Sequence, residues 1–183
     1  YDVIKEAHRA GILVVASTNN KNSDDDVKPY YPADYDLPNI ISVLAINKDN
    51  LKKSDSNFGK NSIDLGAPGD EIISTVPRGD CLYCSPTGYA FSGGASMAAP
   101  HVAGALALGL ATMSSYRGGS AQGKHLSVRT ALLSSVEPLS DLLDKTVTGG
   151  KLNLEKFIQS IKNLTSSKAQ KRGVGELIFI RRQ

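Results

Sequence analysis

Two predominantly apolar runs constrain this chain more than anything else in it: Ile12 to Ser17, ILVVAS, and Asn39 to Ile46, NIISVLAI. A strand with one wet face alternates apolar and polar residues. Consecutive β-branched residues instead ask for burial on both faces, the condition of a strand inside a parallel sheet covered by helices. Helical patterns surround the runs. Ile4, Ala7 and Ala10 form one stripe over Val3 to Ala10, with Gly11 placed to end that helix. From Ser96 to Ser114 apolar residues run almost all round, which predicts a core helix. Pro100 fits near its start, where N–H groups lack intrahelical partners. LSVRTALLSSV reads as a further helix with Ser127 as a cap. GGKLNLEKFIQSIKN reads as a turn, a short strand and an amphipathic helix with Leu154, Phe157, Ile158 and Ile161 inward. TNNKNSDDD and PYYPADYDLP are loops, and SIDLGAPGDEIISTV holds two short strands around Pro68-Gly69. Strands alternating with helices imply an α/β fold with a mostly parallel sheet.

At 183 residues and 40% hydrophobic the chain can bury one sizeable core. Its net charge of +3 is unevenly spread: Lys168, Lys171, Arg172, Arg181 and Arg182 face only Glu176 after Thr165, so +4 lies in the tail and −1 in the rest. Such a tail is expected to be a solvated terminus. Trp is absent and no basic stripe is interleaved with aromatics, so nucleic acid is not an expected partner. The longest apolar window, Val102 to Met113, is about 12 residues against roughly 20 for a bilayer, so no membrane span is expected.

The chemistry gathers at FSGGASMAAPHVAGALAL, Phe91 to Leu108. Ser96 opens the long helix after Gly93 and Gly94, which let backbone or ligand approach closely. The unpaired N–H groups and positive end of a helix favour developing negative charge beside such a hydroxyl. Spacing alone favours a plain N-cap serine.

GASMAAPHVAG resembles the nucleophile motif of the subtilisin-like serine proteases, the subtilases, departing only by Ala95 for a threonine. Further blocks follow in family order: ILVVASTNN, YPADYDLPNIISVLAI, SIDLGAPGDEIISTVP and TGGKLNLEKFI. The resemblance spans about Asp2 to Lys162. It implies a three-layer subtilisin-like α/β fold, here its C-terminal portion, over 1–162, with a basic, poorly ordered extension at 163–183. It further implies Ser96 as nucleophile and Asn20 as side-chain donor to the tetrahedral intermediate. Asn19-Asn20 stands where the family has Gly-Asn, which leaves the two amides open to exchange by one position. Ser17, Thr18 and Asn19 match one wall of the primary specificity pocket and Tyr30 its floor, whose bulk suggests small or medium substrate side chains. Tyr31-Pro32 matches a position where the peptide is often cis.

The family's base has no counterpart. Of three histidines, His8 lies in the first helix, His101 is the histidine of the P-H-V-A-G block, and His125 lies in a glycine-rich connection without a motif. The aspartate and histidine blocks of the family are both missing, so the chain reads as a fragment that is inactive alone and needs the N-terminal part of the same catalytic domain. Peptide or protein is the expected substrate. A non-catalytic subtilase homologue, acting as a binding or inactive partner, is the alternative. An α/β-hydrolase would need a histidine after the acid, and none follows residue 125. Cys81 and Cys84 suggest a local disulfide, or pairing with cysteines elsewhere, in a secreted or secretory-pathway protein. No cofactor is expected for catalysis. Structural calcium is common in the family, and Asp24, Asp25, Asp26, Asp34 and Asp36 could supply oxygens.

Overall fold

A computed structural model describes residues 1–114 and 123–166. Helix α1 (Asp2–Arg9) leads through Gly11, at φ +77°, into β1 (Val14–Ser17). Strands β2 (Ile40–Ile46) and β3 (Leu65–Pro68) follow, then a hairpin of β4 (Ile72–Thr75) and β5 (Tyr89–Ser92). After it come α2 (Ala95–Ser114), α3 (Lys124–Leu133), β6 (Glu137–Pro138), β7 (Gly150–Lys151) and α4 over 154–166. The main sheet has the order β1-β2-β3-β7-β6, with β1, β2, β3 and β7 parallel and β6 antiparallel to β7. Val14 faces Ile40 in register, and Val43 faces Leu65.

The doubly buried strand is β2: all seven of its residues are buried. Ile41, Val43 and Ala45 meet Ala98, Val102 and Leu106 of α2, with Val128, Phe157 and Ile161 completing that core. On the other face Leu44 and Ile46 pack with Ile63 and Leu142, and Ile40 with Ala16, Ala33 and Leu37. The first run behaves differently. Only Ala16 of β1 is buried, because among the described residues β2 is the sole strand beside it. Leu13 and Val15 lean toward α2, Val14 toward the opposite cluster, and neither set is fully covered.

Helix α2 is not a core helix on all sides. Ala95, Ala98, Val102, Ala105, Leu106 and Met113 are buried, whereas Pro100, Ala103, Ala107, Leu108 and Leu110 are exposed. By length and composition Ala95–Met113 would suffice to cross a bilayer, which the 12-residue window did not suggest, yet its inner face packs on β1, β2 and β3. The expected cap Ser127 lies inside α3: Gly123, at φ +87°, is the N-cap, and the Ser127 hydroxyl donates back to the Gly123 carbonyl. His125 is likewise helical and buried rather than in a loop. In α4 Phe157 and Ile161 are fully buried and Ile158 packs beside them, but Leu154 is exposed on the first turn. Asn153 caps that helix, its Oδ1 accepting the Lys156 N–H. The helix runs to 166, so a boundary after 162 falls within it; most of the basic extension, 167–183, lies outside the described residues.

Two of the three histidines hold α1 against α3. His125 Nε2 and His8 Nδ1 lie 3.1 Å apart, a separation that needs one proton between the rings. Burial, then the neighbouring His8, pushes His125 below its ordinary 6.5. A base depressed in the folded state contributes stability above its unfolded value, and that contribution is lost as pH falls. Thermal melts at about pH 7.5 and about pH 5 should therefore show a larger drop in Tm for the native sequence than for His125→Gln, which keeps a donor and cannot charge. Equal drops would remove His125 from the acid response.

Candidate active site

The site forms where a parallel sheet and its helix naturally leave a crevice, beyond the carboxyl ends of the strands. β1 ends at Ser17 and runs into the loop that carries Asn20; the β4–β5 hairpin ends at Ser92 and runs through Gly93-Gly94 into α2. Close approaches require glycine at Gly94 and at Gly69. The Gly94 N–H donates to the Gly69 carbonyl at 2.7 Å, and a Cβ on Gly69 would fall 2.6 Å from that of Ala45. Gly94 itself has φ +120°, and a Cβ there would lie 3.0–3.2 Å from the Asn20 carboxamide. Only glycine allows the amide to lie against the helix start.

Asn20 therefore reaches the first turn of α2. Its Oδ1 accepts the Ala95 N–H at 2.9 Å, which fixes the orientation of the amide. The NH₂ group is left without an acceptor among the described residues. Asn19 is oriented elsewhere: its Oδ1 accepts the Asn20 N–H at 2.8 Å, and its carbonyl accepts the Asn57 N–H at 2.8 Å. The two asparagines are thus distinguished by geometry. Ser96 is the second residue of α2 and exposed, and its N–H is one of the unpaired first-turn donors. No acidic residue sits in that turn to oppose the positive helix end. The Asn20 NH₂ and the first-turn N–H groups are the donors that this turn offers to a negatively charged group.

No imidazole serves that hydroxyl among the described residues. His8 and His125 engage each other, and His101 Nδ1 pairs with the Met97 carbonyl at 2.9 Å on the exposed side of α2.

The expected pocket residues divide. Asn19 and Tyr30 line one cavity of ≈ 280 Å³ together with Lys21, Ser23, Lys28, Pro29 and Asn57. Thr18 does not line it: the residue is buried, and its hydroxyl donates to Asp25. Ser17 is half-buried on β1 and is also absent from that lining. The Tyr31-Pro32 peptide is cis, and Cys81 and Cys84 are disulfide-bonded to each other. Of the five aspartates considered for calcium, Asp25 is engaged by Thr18 and Asn57, Asp26 by Asn61 and Ser62, and Asp34 accepts the Tyr30 N–H. Among the described residues no three acidic, histidine or cysteine side chains converge as a metal-ligand set.

Sequence reasoning missed Asn57. Its Oδ1 accepts the Lys21 and Ser23 N–H groups at 2.9 and 3.1 Å, its NH₂ donates to Asp25 at 2.7 Å, and its own N–H holds Asn19. It thereby grips the chain on both sides of Asn20. Asp25, buried and raised above its ordinary value chiefly by desolvation, is the anchor of this network. The Lys52 ammonium reinforces the same loop, donating to Asn22 Oδ1 and to the carbonyls of Lys53, Ser54 and Ser56 at 2.8–3.2 Å. No local motif announces Asn57, whose partners lie more than 30 residues away in sequence.

The Subtilase family model matches residues 2–173. An intracellular serine protease of Paenibacillus polymyxa is 43% identical over 110 residues, which is 59% of this chain and 30% of that protein. Subtilisin of Bacillus pumilus is 37% identical over 134 residues, 73% of this chain and 45% of that protein. Among solved structures, the prenylagaramide maturation protease PagA superposes with a TM-score of 0.70 at 26% identity, covering 87% of this chain and 54% of that one. The chain thus spans less than half the length of these curated relatives and about half of that solved chain.

Removing Asn57 leaves two backbone donors and a buried carboxylate short of partners, so Asn57→Ala should cost about 2–4 kcal/mol of stability. Hydrogen exchange should show the Lys21 and Ser23 amides losing protection before those of β2. Unchanged protection at both would refute the clamp.

Proposed function

The chain belongs to the subtilase family, and from that membership we propose that it carries the nucleophile and an oxyanion donor of a serine endopeptidase. Its general base and orienting acid belong to polypeptide outside these 183 residues, the N-terminal part of the same catalytic domain. One observation carries the reading: the Asn20 carboxamide, locked by the Ala95 N–H, sits at the helix turn that bears Ser96 with its NH₂ unengaged.

In this reading a peptide substrate places its scissile carbonyl carbon against Ser96 Oγ. The base takes the hydroxyl proton as Oγ bonds to carbon, and the carbonyl oxygen becomes an oxyanion held by the Asn20 NH₂ and the Ser96 N–H. Collapse expels the amine, which receives the proton, and leaves an ester on Ser96; water then attacks that ester by the same route. Removing such a side-chain donor costs about 10²–10³ in kcat, a magnitude known from subtilisin itself and not obtained from this geometry. Without its base the serine is a weak nucleophile, and acceleration falls to roughly 10³–10⁴ over water, again a subtilisin value.

Two features support a missing complement. The outer side of α2 exposes Ala103, Ala107, Leu108 and Leu110, and β1 has a free edge among the described residues. Exposed apolar surface of this kind is the signature of an interface. The Cys81–Cys84 bond supports an oxidising, secretory setting, although one relative is named intracellular. The alternative, a non-catalytic homologue, gains no support from an Asn20 carboxamide bound to the helix turn that bears Ser96.

In the full-length protein, an organophosphonate that reports activated serines should label Ser96, and Ser96→Ala should abolish both labelling and peptide hydrolysis. Asn20→Ala should lower kcat by about 10²–10³ with little change in KM. The isolated 183-residue chain should label far more slowly. Rapid labelling of the isolated chain would mean that it contains its own base; no labelling of the full-length protein would favour the non-catalytic reading.

A further inference from the structure

The cavity beside Asn20 has a chemical character that the family resemblance does not supply. Its polar lining consists of groups that can donate. Asn19 has its Oδ1 turned onto the Asn20 N–H, so its NH₂ is the end left free for the cavity. Asn57, at the back, has its oxygen occupied by the Lys21 and Ser23 N–H groups. Lys21 and Lys28 both line the cavity, and neither ammonium makes an ion pair or hydrogen bond among the described residues. No carboxylate is part of the lining. The nearby acids are turned away: Asp25 lies behind Asn57, Asp26 binds Asn61 and Ser62, Asp34 accepts from Tyr30, and Asp55 pairs with Lys53.

Two free cations, an amide NH₂ and a tyrosine around ≈ 280 Å³ make a site for an acceptor-only, negatively charged group of modest size. We propose that this cavity selects substrates carrying a glutamate or aspartate side chain at the residue whose carbonyl is attacked. The proposal rests on the reading of Asn20 and Ser96 given above, because Asn19 ties the cavity wall to the neighbouring oxyanion donor. A peptide whose carbonyl oxygen lies at the Asn20 NH₂ delivers its preceding side chain next door. Tyr30 limits the depth, and the lysines set the sign of charge. Both lysines are exposed, so their attraction is screened by water and salt and its effect falls with ionic strength.

The test uses the full-length protein and peptides identical except for Glu, Gln, Ala, Phe or Lys at that position. The isosteric Glu and Gln pair isolates charge. The Glu peptide should exceed the Gln peptide by roughly tenfold in kcat/KM at low salt, and the ratio should shrink at high salt. Lys21→Gln and Lys28→Gln should each cut the Glu-to-Gln ratio by about threefold or more, and the double variant should bring it near one. Binding of the uncleaved Glu and Gln peptides to Ser96→Ala is measured in parallel. If nothing is cleaved by the native protein but Glu still binds better than Gln, the catalytic reading fails and the pocket assignment stands. Equal rates and equal binding for Glu and Gln, a ratio indifferent to both lysines, or a preference for Phe or Lys would overturn it.

Discussion

A single hydrogen bond, from the Ala95 N–H to Asn20 Oδ1, joins the end of the edge strand β1 to the start of α2, and the geometry of the site follows from it. An amide has a donor end and an acceptor end. Committing the oxygen to the helix leaves the nitrogen as the donor, at a turn whose own N–H groups have no intrahelical partners. The bond exists because Gly94 has no side chain: any Cβ there would press on the carboxamide. Chain direction does the rest, since parallel strands bring the end of β1 and the start of α2 to the same edge of the sheet.

A donor of this kind is effective only when its loop is rigid, and the loop around Asn20 has no regular structure of its own. Rigidity is borrowed from below. Asn57 and Asp25 form a buried polar hub in which nearly every group has a partner, and Lys52 fills a nest of oxygens beside it. Burial raises the Asp25 pKa, and the hydrogen bonds from the neutral groups Thr18 and Asn57 only partly offset it. Such a network is stabilising while complete and costly when one member is lost. The outer face of α2 offers the contrast: apolar, exposed and unmatched within this chain.

Where local pattern and burial agree, the fold was legible. β2, α1 with its terminal Gly11, the length of α2, and the Phe157 and Ile161 face of α4 could all be read from residue spacing. Local pattern says less where burial depends on neighbours. ILVVAS has the apolar pattern of a central strand yet has β2 alone beside it among the described residues, and α2 is apolar all round yet covered on one side. Ser127 resembles a cap, but Gly123 had already started the helix with its left-handed backbone. In the site, contiguous motifs pointed to Ser96 and Asn20, whereas Thr18 turned inward to Asp25, and Lys21, Lys28 and Asn57 carried no signal.

The sequence by itself determined the α/β class, the long helix that carries Ser96 in its first turn and the family, because apolar periodicity, glycine placement and a contiguous motif are local properties of the chain. Tertiary structure alone decided which of two adjacent asparagines faces the helix, which lysines stand free and which aspartates are silenced. The decisive bonds among them join residues 32 to 75 positions apart, and a linear order of residues does not specify which distant donor meets which acceptor.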